Sequence, residues 1–200
     1  LKENVNLETS SSFDIDLILN LYKKDKIDKN LNIICNGYKT VEYLEKIIAL
    51  YKMGFKNVIV ILDNKPELER LNHLSKNINK KIKIGIRMAI NEEAQSSYYT
   101  SRMGIRNTEI VDFYNTQIKT NTAVELKMLH FYVDSGIKDN LYFWSQFKKA
   151  LNLYIELKKE CKTLNSFNIG GGFPIRNNLG FNYDYNQITE KIIKIISENC

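Results

Sequence analysis

Short apolar runs, mostly β-branched, alternate along this chain with longer stretches in which apolar residues return every three or four positions. Runs of the first kind at 32–35, 57–62, 82–88, 124–133 and 166–169 predict strands, with a weaker one at 5–8. Stretches of the second kind at 13–24, 41–53, 66–76, 108–118, 141–159 and 185–198 predict helices. The punctuation agrees with this reading. Asp63-Asn64-Lys65-Pro66 starts a helix with an early proline and acids in its first turn, and Met53-Gly54 stops one. Regular alternation with short connections implies parallel strands joined by crossover helices. No linker or low-complexity tract divides the chain.

Two architectures satisfy that order, an eight-stranded (β/α) barrel and an open doubly wound sheet. Glycine placement separates them. A dinucleotide-binding sheet carries its Gly-rich turn after the first strand of a half, whereas the Gly run here, Ile169-Gly170-Gly171-Gly172-Phe173-Pro174, follows the last strand. Barrels bind phosphate on such late loops, because glycine lets backbone N–H groups approach an anion closely. With that loop after strand seven, the visible strands are two to seven of an incomplete (β/α)8 TIM-type barrel in the α/β class.

Composition narrows the picture further. The 200 residues are 44% hydrophobic and 26% charged, which suits one folded domain. The net charge of +6 comes from lysines scattered over helical stretches such as Lys23-Lys24-Asp25-Lys26 and Lys158-Lys159-Glu160, a pattern of solvated faces and not of a nucleic-acid patch. Cys35, Cys161 and Cys200 form an odd set without metal-type spacing, so a reduced, cytoplasmic protein without a metal site is expected. No run approaches the roughly 18 apolar residues of a membrane span. His73 and His130 are the only histidines, too few to support a Ser-His-Asp or metal centre. His73 lies in a charged stretch and reads as a surface residue; His130 reads as a satisfied core histidine. Arg87 ends a strand of apolar residues, where a charge is costly unless paired.

Several segments carry a resemblance. Ile33-Ile34-Cys35-Asn36-Gly37-Tyr38-Lys39 resembles a run of the biosynthetic arginine decarboxylases, and Asn168-Ile169-Gly170-Gly171-Gly172-Phe173-Pro174 is similar to the phosphate loop of the wider ornithine, arginine and diaminopimelate decarboxylase class. Leu7-Glu8-Thr9-Ser10-Ser11, Gly85-Ile86-Arg87, Thr100-Ser101-Arg102-Met103-Gly104 and the 129–136 segment match further motifs in the family's order. The resemblance covers roughly residues 5 to 200 and implies pyridoxal 5'-phosphate as cofactor. It implies that Gly170, Gly171 and Gly172 hold the phosphate, that Ser135 donates to it, that Tyr132 faces the ring, and that Arg87 and Glu8 lie beside the cofactor. Arg102 would face the partner of a homodimer or higher homo-oligomer.

The resemblance also exposes departures. Tyr132 stands where the family has a histidine, and Asp134 where it has a glycine; a carboxylate there disfavours a nearby phosphate unless it points away. The family's catalytic lysine belongs to strand one and its ring-nitrogen acid to strand eight, and neither motif is found, so no catalytic residue is assigned. The chain is therefore expected to be part of a longer enzyme, with the first barrel strand and a carboxyl-terminal β domain outside it. The function implied is decarboxylation of arginine to agmatine and carbon dioxide. The alternatives are ornithine or diaminopimelate as substrate, or a catalytically silent relative that binds phosphate or a protein partner.

Overall fold

The computed structural model describes residues 6–76, 78–90, 103–134, 136–175 and 182–199. Their elements are β1 (Leu7–Thr9), α1 (Ser12–Lys23), β2 (Asn32–Cys35), α2 (Val41–Lys52), β3 (Asn57–Leu62), α3 (Pro66–Leu74), β4 (Ile82–Ala89), β5 (Ile105–Arg106), α4 (Asn107–Phe113), β6 (Val124–Phe131), α5 (Leu141–Glu160), β7 (Ser166–Asn168) and α6 (Tyr185–Asn199). Helix starts follow the capping chemistry of the sequence. The Asp14 carboxylate accepts from the Ser10 and Ser11 backbone at 2.7 and 3.0 Å, Thr40 Oγ1 accepts from Tyr43 N at 3.2 Å, and Asn140 Oδ1 accepts from Phe143 N at 2.8 Å. Pro66 opens α3 and Gly54, at φ +88°, follows the end of α2.

All strand pairs are parallel, in the order β1-β2-β3-β4-β6-β7, with β5 added to β4. The sheet curls. Glu8 on β1 and Asn168 on β7 belong to opposite ends of that order, yet their side chains lie 3.4 Å apart. The fold is thus an arc of a (β/α)8-type barrel, as the alternation and the glycine placement predict.

Three local differences stand out. The two-residue strand β5 was not expected, because so short a run has no periodicity to read. The helix predicted over 108–118 gives way at Tyr114–Ile118 to a π-helical turn. The strand predicted over 124–133 ends at Phe131, which leaves Tyr132 and Val133 in the loop that follows.

The arc separates two apolar layers. The convex side packs Ile33, Cys35, Val58, Val60, Leu62, Ile84, Ile86, Leu129 and Phe131 against the helices in one large core, while a small apolar cluster of Ile34, Ile59, Ile61 and Met128 lies on the concave side. A bulge decides which face the end of β6 presents. Ile84 pairs with Leu126 but Gly85 with Met128, so Lys127 has no partner and the inward set changes parity. Val124 and Leu126 before the bulge and Leu129 and Phe131 after it all face the helices, and Met128 and His130 therefore face inward.

Candidate active site

The carboxyl ends of parallel strands converge at one mouth, and polar side chains of this chain collect there. The first group is a closed hydrogen-bonded ring. Asn36, just past β2, donates from Nδ2 to Glu8 Oε1 at 2.9 Å and meets His130 Nε2 at 3.0 Å. His130 Nδ1 meets the Asn168 carbonyl at 3.3 Å, and Asn168 Nδ2 returns to Glu8 Oε2 at 3.4 Å. Gly37 N donates to Asn36 Oδ1 at 3.0 Å, which fixes the amide so that its NH2 faces His130. An NH2 group offers no lone pair, so His130 accepts at Nε2 and carries its proton on Nδ1, which donates to the Asn168 carbonyl. Burial, and then the charge of Arg87, push the His130 pKa down to about 4, so the imidazole is neutral near pH 7.

The second group is a row of buried charges between β2, β3 and β4. Lys39 is fully buried; its Nζ donates to the Gly37 and Ile61 carbonyls and lies 3.9 Å from Glu67 Oε2. Glu67, also buried, accepts from Lys39 N at 3.2 Å and from Asp63 N at 2.9 Å. Asp63 Oδ1 lies 3.7 Å from Arg87 Nη1, and neither Asp63 carboxylate oxygen accepts a hydrogen bond among the described residues. Arg87 Nη1 also lies 3.5 Å from Met103 Sδ, and the guanidinium sits over the Tyr132 ring at 5.9 Å. Burial lowers the Lys39 pKa and raises those of Glu67 and Asp63; the charge of Lys39 opposes the shift of both carboxyls, and that of Glu67 opposes the shift of Lys39.

The third group is the glycine loop after β7. Gly170 N donates to Asn168 Oδ1 at 2.8 Å, and Ile137 N donates to the Gly172 carbonyl at 3.1 Å. Gly172 and Gly136 both adopt positive φ and press together: a Cβ on Gly172 would lie 2.8 Å from Gly136 Cα, and one on Gly136 would lie 2.3 Å from Gly172 O. Gly171 differs, since a Cβ there would meet nothing within 4 Å. Among the described residues the Gly171 and Gly172 N–H groups make no hydrogen bond. Two backbone donors on an exposed loop, with Tyr132 beside it and Arg87 over the Tyr132 ring, fit a phosphate on a flat ring.

Of the residues predicted from sequence, Gly170, Gly171, Gly172, Tyr132, Arg87 and Glu8 all come to this mouth. A Cβ on Gly170 would lie 3.0 Å from Tyr132 Cδ2, and Glu8 reaches the loop through Asn168. Ser135 and Arg102 lie outside the described residues. Asp134 is exposed in the turn after β6. Sequence reasoning missed Asn36, Asn168, Asp63, Lys39 and Glu67. The available signal was their position, since each lies at or shortly past the end of an apolar run. His130 is buried as expected, but among polar partners. His73 is exposed on α3, as its charged surroundings predict.

Fold and site together define a phosphate-cofactor domain built on a parallel barrel arc. The chain belongs to the pyridoxal-dependent decarboxylase family, whose pyridoxal binding domain matches residues 2–200, and pyridoxal phosphate is its cofactor. The biosynthetic arginine decarboxylase of Prochlorococcus marinus (strain MIT 9215) is 26% identical over 98% of this chain and 32% of its own length. The crystal structure of the biosynthetic arginine decarboxylase of Campylobacter jejuni superposes with a TM-score of 0.72 at 27% identity, over 98% of this chain and 32% of that one. Diaminopimelate decarboxylase from Helicobacter pylori, complexed with L-lysine, superposes with a TM-score of 0.78 at 18% identity, over 97% of this chain and 48% of that one. The chain spans about a third of the length of the curated relatives it matches.

Proposed function

We propose that the full-length protein decarboxylates arginine to agmatine and carbon dioxide. The observation that carries the decarboxylase reading is the meeting of the glycine loop with Tyr132 at Gly170, with the Arg87 guanidinium over the same Tyr132 ring. Arginine as the substrate is supported by the names of the relatives matched over nearly the whole chain.

In this reading Gly171 and Gly172 would hold the phosphate through backbone N–H groups, Tyr132 would face the ring, and Arg87 would supply positive charge nearby. Ser135 would add a hydroxyl donor, as the family resemblance implies. Glu8, held by two amides, keeps a carboxylate at the inner side of the mouth, near the lysine supplied from elsewhere in the protein. Bound pyridoxal phosphate supplies an electron sink for the pair left on the α-carbon when carbon dioxide departs. Neutral His130 would bring no positive charge to the mouth.

The remaining strands of the barrel and a carboxyl-terminal β domain belong, in this proposal, to the rest of the protein. A homodimer with Arg102 facing its partner, and a cytoplasmic location, complete the reading. No helix among the described residues is long and apolar enough to cross a membrane.

The test is carbon dioxide release by the full-length protein with pyridoxal phosphate, offered arginine, ornithine, lysine and diaminopimelate in parallel. Arginine should be turned over at the highest kcat/KM. Preference for another substrate would replace the arginine assignment and leave the decarboxylase. Tight cofactor binding without release from any of them would favour a catalytically silent relative, for which Asp134, exposed in the turn after β6 where the family pattern has a glycine, is the specific observation.

A further inference from the structure

Asn168 occupies an unusual place in the polar ring. It is tied twice from inside the barrel: its carbonyl by His130 Nδ1 at 3.3 Å, and its side-chain NH2 by Glu8 Oε2 at 3.4 Å. Its remaining atom, Oδ1, then takes the Gly170 N–H at 2.8 Å, the first donor of the glycine loop. The amide is the right group for this task. Its NH2 must face a carboxylate while its oxygen faces an N–H, and only an amide side chain presents both at that length.

We propose that Asn168 is a positioning residue for the phosphate grip. The ring Glu8–Asn36–His130–Asn168 sets the backbone of the Gly170 loop, so that the Gly171 and Gly172 N–H groups point to one anion. The inference rests on the cofactor reading above and deepens it. Phosphate binding on one side of the mouth depends on a carboxylate on β1 and an imidazole on β6, neither of which touches the phosphate.

The proton arrangement fixes the direction of each hydrogen bond in the ring. Asn36 spends both amide hydrogens, one on Glu8 and one on His130, so His130 must accept at Nε2 and has its proton free only at Nδ1, toward Asn168. Loss of Glu8 or of His130 therefore leaves Asn168 with one tether, and loss of Asn36 removes the contact that fixes the His130 tautomer. Arg87 and Asp63 stand outside this circuit, paired with each other at 3.7 Å.

Three variants of the full-length protein test the proposal. Asn168→Ala removes the side-chain tether and the Gly170 cap. His130→Phe keeps a flat ring of similar size and removes the carbonyl tether. Asn168→Asp restores an acceptor for Gly170 but sets a second carboxylate against Glu8.

The first readout is affinity for pyridoxal phosphate against pyridoxal, which lacks the phosphate. Asn168→Ala and His130→Phe should each lose about tenfold for pyridoxal phosphate and less than about twofold for pyridoxal, a loss of the size set by one unmade hydrogen bond. Equal losses for the two compounds, or none, would overturn the positioning role.

The second readout needs no cofactor. Hydrogen exchange at the Gly170 amide should accelerate about tenfold in Asn168→Ala, should return toward the original rate in Asn168→Asp, and should stay unchanged at α5 amides. An unaltered Gly170 rate would sink the proposal on its own. If the parent protein bound neither compound while the Gly170 rates behaved as stated, the cofactor reading would fail and the positioning of the loop would stand.

Discussion

The two sides of the strand arc bury side chains under different rules. On the convex side Ile33, Val58, Ile84 and Leu129 meet helix residues such as Leu44, Ile47, Phe143 and Phe147, and the layer is a continuous apolar core. On the concave side four apolar residues line the middle of the arc, and Lys39, Asp63, Glu67 and His130, all buried, gather at its mouth. The convex layer can be explained by the chain's need to hide apolar surface. The mouth cannot, because buried charges are at best neutral for stability compared with apolar residues of the same volume. The charges there pair with one another, Lys39 with Glu67 and Asp63 with Arg87, at the mouth where the proposed cofactor site lies.

The largest effect should come from breaking the convex side. Phe147 is almost wholly buried and packs against Phe131, Phe143, Trp144 and Phe167 at ring distances of 5.6–6.3 Å. Phe147→Ala should lower unfolding free energy by about 4 kcal/mol through lost burial and a cavity. Denaturant titration of the full-length protein measures it; a loss under about 1 kcal/mol would contradict the packing. Lys39→Met, at the mouth, should cost about 3 kcal/mol, because it leaves Glu67 buried without its cation. Adding Glu67→Gln to it should recover part of the loss, and a double variant no better than the single one would show that the pair is not coupled.

The contrast also explains what could be read in the sequence. Strands β2 and β3 begin and end where their β-branched runs do, because a strand buried on both faces is written as a continuous apolar run. The glycine loop was legible because three glycines after a strand have few other uses. The inward turn of His130 was not, since it depends on the bulge at Lys127, where the inward set changes parity. Asp63, Lys39 and Glu67 were equally hidden. In sequence Asp63 stands in a polar helix start and Lys39 in the loop run after β2, and only the side-by-side pairing of β2, β3 and β4 brings them together.

His130 sharpens the comparison by pH. Its folded pKa of about 4 lies below the ordinary 6.5, so between those values the unfolded chain binds more protons and folding stability falls as pH falls. The contribution is fully present above about pH 6.5 and should be lost by pH 4, an effect of about 2–3 kcal/mol. Asp63 and Glu67, whose pKa values are raised, push the other way on acidification, so the measurement is a difference. Stability at pH 7 minus that at pH 4.5 should be smaller in His130→Gln than in the parent. Equal differences would mean that His130 is not held neutral.

The smallest effect on stability should come from the residue with the largest effect on the ligand. Gly170 and Gly172 have structural reasons to be glycine, in positive φ and in close approach to Phe131 O and Gly136 Cα. A side chain at Gly172 should cost about 1–2 kcal/mol, which would confuse any reading of cofactor loss. Gly171 has neither reason: its φ is not positive, and a Cβ there meets no neighbour within 4 Å. Nothing in the described fold forbids a larger residue at that position, so Gly171→Leu should change unfolding free energy by less than about 0.5 kcal/mol. A leucine would nevertheless stand in the space through which an anion reaches the loop N–H groups, and retention of pyridoxal phosphate after dialysis, read by its absorbance, should drop at least tenfold. Exposed His73→Ala, on α3, is the matched control and should change neither quantity. Full cofactor retention in Gly171→Leu would remove the phosphate from this loop, while a large loss of stability would mean that Gly171 serves the fold after all.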